Sequence, residues 1–116
     1  MNHDDLKAIF QFQMEDCRDV LFTKSEEYAS DTDRLHNFKV AAKLLDERPE
    51  QVLAGFMAKH SVSVFDMCNS NEAYSDKLWS EKITDHINYL ILLRALTIEK
   101  REHTNPMLTF DHKETA

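Results

Sequence analysis

Glu81, Asp85 and Asn88 recur at i, i+4 and i+7 through the apolar stretch EKITDHINYLILL, and Leu92 continues the same stripe. At that spacing they share one face of a helix. Two carboxylates and an amide framed by Leu78 and Leu92 can ligate a hard cation, and they cost free energy wherever they are buried without partners. Other polar residues interrupt apolar faces elsewhere in the chain. Lys24, Glu27 and Tyr28 end a first amphipathic segment, Arg34 and Asn37 open a second, and Lys59, His60, Ser63 and Asp66 lie along a third.

Glu27, Glu81 and Asp85, with Asp66 as a possible fourth, cannot all stay ionised at close range in a poorly solvated place without a counter-charge. Mg²⁺ is a natural one, because it takes oxygen ligands and keeps positions for water and phosphate. In that reading Glu27, Glu81 and Asp85 hold the metal, and Lys24, Arg34 and Lys59 meet phosphate oxygens. Tyr28, Asn37 and Asn88 contact a base or sugar, and Asp66 or His60 orients an attacking water. Each residue also has a plainer role. Glu81 and Asp85 can be exposed acids beside Lys77 and Lys82, His60 a satisfied core histidine, Arg34 a partner of Asp31, and Tyr28 a packing residue.

The elements that would position these groups are helices. The chain has 116 residues, one Gly and two Pro, so turn chemistry is scarce and helix formers dominate. Leu6, Ile9, Phe10, Met14, Cys17, Val20 and Leu21 recur at helical spacing and predict a first helix from Asp4 to about Ala29. After the turn-forming SDTD, a second runs from Asp33 to Leu45 with Phe38, Ala41 and Leu45 inward. Pro49 suits the first turn of a third, which reaches about Cys68 and places Val52, Leu53, Phe56, Met57, Val64 and Met67 on one side, with Gly55 allowing close helix contact. Trp79, Ile83, Ile87, Leu90 and Ile91 form the main apolar face of a fourth, which fades near Arg101. The expectation is an all-α antiparallel four-helix bundle over residues 1–101, followed by an irregular tail, 102–116. Up-and-down connection brings the four polar sets to one pole.

Composition narrows the partners. A net charge of −7 and a pI near 5.3 argue against polymeric nucleic acid. No apolar run approaches the ~20 residues that span a bilayer, and Cys17 and Cys68 are not a close pair. A cytoplasmic protein with reduced thiols is expected. A di-iron bundle ranks last, because no ExxH pair repeats on two helices.

The segments KSEEYASDTDRLHNF, KHSVSVFDM and WSEKITDHINYLILL resemble small phage-type proteins of the all-α nucleoside triphosphate pyrophosphatase superfamily, the MazG-like group. The resemblance runs from about Leu6 to Lys100. It implies an oligomeric, Mg²⁺-dependent hydrolase that cleaves a nucleotide between the α and β phosphates. That superfamily carries an EExxE helix followed by a helix with ExxD. Here Glu81 and Asp85 stand for the second element with a spacing of four, and only Asp66 lies where the first is expected. A non-catalytic nucleotide-binding or protein-binding regulatory module of phage type is therefore the alternative.

Overall fold

The computed structural model describes residues 1–24 and 33–104, except for the side chains of 23, 24 and 102–104. Among the described residues the chain is all-helical, with no strand. The elements are α1 (His3–Asp19), a π-helical turn (Val20–Lys24), α2 (His36–Leu45), α3 (Pro49–Asn69) and α4 (Asp76–Thr104). None of these helices is long and apolar enough to cross a membrane.

Local chemistry sets the helix ends. Asn2 caps α1 by accepting from the Asp5 amide at 2.8 Å, and the Asp5 carboxylate returns the bond to the Asn2 amide at 3.3 Å. The cap therefore falls two residues before the expected Asp4 start. At its other end α1 loosens into the π turn and does not continue as an α-helix. Asp33 accepts from the Leu35 amide at 3.0 Å ahead of α2, so the helix begins at His36, later than expected. α2 stops where Asp46 adopts a left-handed φ of 53°, a conformation that Asp tolerates better than most side chains, and the Glu47 amide bonds the Ala42 carbonyl at 2.9 Å. Pro49 then opens α3, with the Gln51 side chain accepting from the Arg48 amide at 2.8 Å. Ser75 caps α4 by accepting from the Leu78 amide at 3.1 Å. α4 continues to Thr104, so the first residues assigned to the tail are helical; 105–116 lie outside the described residues.

Contacts fix the topology. Leu35, Leu53 and Leu96 form the core between α2, α3 and α4, with Phe38, Met57, Tyr89, Leu92 and Leu93 packed around them. Phe38 of α2 meets Phe56 of α3 with ring centroids 6.0 Å apart. Along the α3–α4 pair, Glu50 bridges Lys100 at one end, and His60 reaches the Lys82 carbonyl toward the other. Rising numbers on α3 thus meet falling numbers on α4, and the two helices are antiparallel.

α1 sits differently. Gln13 donates to the Thr84 hydroxyl at 2.8 Å, Ser80 to the Asp16 carboxylate at 3.2 Å, and Asn88 to the Cys17 carbonyl at 3.2 Å. Asp16 and Cys17 are neighbours, whereas Ser80 and Asn88 lie about 12 Å apart along α4. No side-by-side alignment satisfies all three bonds, so α1 runs obliquely across α4.

Three details of the expected packing change. The inward face of α2 is Leu35, Phe38 and Ala42; Leu45 is 61% exposed because the helix ends there and the chain turns away. The packed face of α4 is Tyr89, Leu92, Leu93 and Leu96, while Ile83, Leu90 and Ile91, expected to be inward, keep two-fifths to a half of their surface exposed. Gly55 mediates no close contact: a Cβ built there would meet nothing within 4 Å.

Candidate functional site

The crossing of α1 over α4 opens a groove of about 510 Å³, walled among the described residues by Asp16, Asp19, Val20, Ser80, Glu81, Thr84 and Asp85. Four carboxylates and two hydroxyls face this space. Glu81 and Asp85 enter it together because they are one turn apart on α4, and Asp16 and Asp19 reach it from the last turn of α1. Ser80 donates to Asp16 and so links the two walls. Thr84, 2% exposed, forms the floor and is held by Gln13. Val20 is also the first residue of the π turn, a kind of local widening that recurs at functional sites.

Asn88 lies one turn further along α4, 6% exposed, beneath the helix crossing. Its amide nitrogen is taken by the Cys17 carbonyl, and its Oδ1 is buried with no partner among the described residues. That orphan oxygen is an expensive feature to keep in a small domain. The burial also means that Asn88, expected to touch a ligand, is placed to support the groove from below.

The other expected site residues divide. Arg34, half-buried ahead of α2, donates to the Leu21 carbonyl at 2.7 Å, so its guanidinium lies against the π turn next to the groove wall. Lys59, Asp66 and Asn37 are exposed on α3 and α2 and contribute nothing to the groove walls. His60 is half-buried, with Nε2 donating to the Lys82 carbonyl at 2.6 Å and its ring 5.5 Å from His86 and 5.8 Å from Tyr89. A carbonyl only accepts, so Nε2 carries the proton, and this histidine ties α3 to α4. Glu27, Tyr28 and the side chain of Lys24 lie outside the described residues.

Asp16, Asp19, Ser80 and Thr84 were not expected at a site. Asp16 and Asp19 follow an apolar stripe and look like outer-face acids on an isolated helix. Only the oblique crossing turns them toward α4.

The donor set suits Mg²⁺ in its usual form, with one or two carboxylates and the remaining positions left to water and phosphate. It does not form a closed protein cage: among the described residues no three His, Cys, Asp or Glu side chains group closely enough to hold a metal ion. A second cavity of about 460 Å³ lies at the opposite end of α3, walled by Lys39, Arg48, Pro49, Glu50, Leu96, Glu99 and Lys100. Its charges are largely paired internally. Lys39 bridges Asp33 and Glu99, and Lys100 bridges Glu50. Hydrogen bonding to Lys39 and to the Leu35 amide lowers the Asp33 carboxyl, and hydrogen bonds to Asp33 and Glu99 raise the Lys39 ammonium. Burial alone would raise Glu50, but its own backbone amide and Lys100 outweigh that and lower it. No family model, curated protein or solved structure matches this chain.

Proposed function

We propose that the α1–α4 groove binds a nucleotide together with Mg²⁺, and that the protein is a nucleotide pyrophosphohydrolase that converts a nucleoside triphosphate or its deoxy counterpart to the monophosphate and pyrophosphate. One observation carries the reading: Glu81 and Asp85, singled out by their spacing, share a groove with Asp16 and Asp19. The groove volume falls within the range of small-molecule clefts. One or two of Asp16, Asp19, Glu81 and Asp85 would hold the cation, with water and phosphate in its remaining positions, and Ser80 orients the Asp16 carboxylate. When bound, Mg²⁺ neutralises phosphate charge and polarises a phosphoryl oxygen. Arg34 neutralises phosphate from the π-turn side. His60 and Asp66 have no step in this scheme, since neither borders the groove.

The second reading is a regulatory module that binds a nucleotide or a protein without hydrolysis. It is favoured by the lack, among the described residues, of three grouped metal ligands. One experiment separates the two. The purified protein is incubated with a panel of ribo- and deoxyribonucleoside triphosphates, with Mg²⁺ and with chelator, and the products are separated by chromatography. Metal-dependent release of monophosphate and pyrophosphate that Asp85→Asn abolishes supports the hydrolase. Binding without turnover supports the module, and neither binding nor turnover overturns both nucleotide readings.

A further inference from the structure

His60 of α3 and His86 of α4 meet on a different face of α4 from the groove, because Lys82, His86 and Tyr89 share a stripe that Glu81 and Asp85 do not. Their ring centroids are 5.5 Å apart, and both residues are half-buried. His60 is held twice. Its Nε2 donates to the Lys82 carbonyl at 2.6 Å, and its ring stands edge-on to Tyr89 at 5.8 Å. In an α-helix the Lys82 carbonyl points along the axis toward the turn that carries His86, so a ring bonded to that carbonyl is set beside the His86 side chain. With the proton on Nε2, the lone pair of His60 is on Nδ1. Among the described residues Nδ1 makes no hydrogen bond, and neither nitrogen of His86 makes one.

We propose that this pair is a site for a divalent transition metal of the Zn²⁺ class, with His60 Nδ1 and one ring nitrogen of His86 as its protein ligands. The spacing fits. A ring nitrogen lies about 1.1 Å from the centre of its own ring and about 2.0 Å from a bound Zn²⁺, so two imidazoles at a tetrahedral angle hold their centroids about 5 Å apart. The surroundings fit as well. A metal-ligating histidine gives its other N–H to a carbonyl or carboxylate, which fixes the tautomer and the ring orientation, and the Lys82 carbonyl does this for His60. No third His, Cys, Asp or Glu groups with the pair among the described residues, so water takes the remaining positions and the ion exchanges more readily than in a closed four-ligand site. Imidazole suits Zn²⁺, Cu²⁺ and Ni²⁺, whereas Mg²⁺ prefers oxygen, so the pair and the carboxylate groove select different ions. The ion joins α3 to α4 and binds only where the fold brings the two rings together, so it fastens that helix pair. The site is independent of what the groove binds.

Titration of the untagged full chain with Zn²⁺ in the presence of excess Mg²⁺ tests it, followed by calorimetry and by the imidazole nitrogen resonances. Cys68, which is exposed, is replaced by serine throughout so that its thiol does not compete. One equivalent of Zn²⁺ should shift His60 Nδ1 and one nitrogen of His86, and His60 Nε2 should keep its proton. His86→Gln removes one of two ligands, so the dissociation constant should rise at least roughly tenfold with helical circular dichroism unchanged. Absence of Zn²⁺ binding overturns the proposal. Shifts confined to His3, His36, His103 or His112 overturn it, and so does a folded His86→Gln protein that binds as tightly as its parent. Should His86→Gln unfold, the parent's nitrogen shifts decide alone: movement of both rings supports the site, and movement of neither or of only one refutes it.

Discussion

Replacing Asn88 with leucine should leave the protein as stable as before, or stabilise it by up to about 2 kcal/mol, although the change deletes a bond between α1 and α4. The amide nitrogen donates to the Cys17 carbonyl at 3.2 Å, and that bond is worth about 1 kcal/mol net. Its loss strands nothing, because the Cys17 carbonyl also accepts from the Val20 amide. Against it stands the buried Oδ1, which has no partner among the described residues and whose removal returns about 1–3 kcal/mol. Leucine has the same branched shape as asparagine, and its larger methyl groups cost part of that gain through tighter packing. Urea unfolding of wild type and variant, followed by circular dichroism at equal m-value, measures the difference. Destabilisation by more than about 2 kcal/mol would refute the reasoning, because it requires either a strong partner for Oδ1 or a site too tight for the leucine methyl groups.

Three further outcomes follow from the packing. Leu53, fully buried between Leu35 and Leu96, should cost about 3 kcal/mol when truncated to alanine, which thermal denaturation would read as a fall of roughly 10 °C. Gly55→Ala should stabilise by about 0.5–1 kcal/mol in the same assay, since the added Cβ meets nothing and the helix gains propensity. Lys39→Met should cost less than about 1 kcal/mol near neutral pH, because both members of the Lys39–Asp33 pair are a third exposed. Asp33 is depressed, so its contribution fades as pH falls through its folded value; Lys39 is raised, so its contribution fades as pH rises through its own. Stability measured across pH should therefore show the two proteins converging at both extremes.

Much of the fold was legible because it rests on local signals. The scarcity of glycine, Pro49 at the start of α3 and the apolar spacing around Val52, Leu53 and Met67 each act within a few residues, and the helices appear where those signals put them. The facing of α4 was not legible. Apolar residues surround that helix, and periodicity alone does not say whether Ile83 or Leu93 turns inward; packing against Leu53 and Leu35 decides it. The groove was half legible. The spacing of Glu81 and Asp85 marks them in the sequence, whereas Asp16 and Asp19 acquire meaning only from an oblique crossing set by the bonds of Gln13, Asp16 and Cys17 to α4. Asn88 shows the same limit in reverse: its spacing matches a ligand, and its burial makes it a support.

The most direct test of the cation-binding groove is paramagnetic broadening of backbone amide resonances by Mn²⁺, which shares the preference of Mg²⁺ for carboxylate oxygen. Substoichiometric Mn²⁺ should broaden the amides of Asp16, Asp19, Glu81 and Asp85 first, and excess Mg²⁺ should restore them. Broadening that spares these four, or that centres on another acidic stretch such as Asp4 and Asp5, would contradict the assignment of the groove.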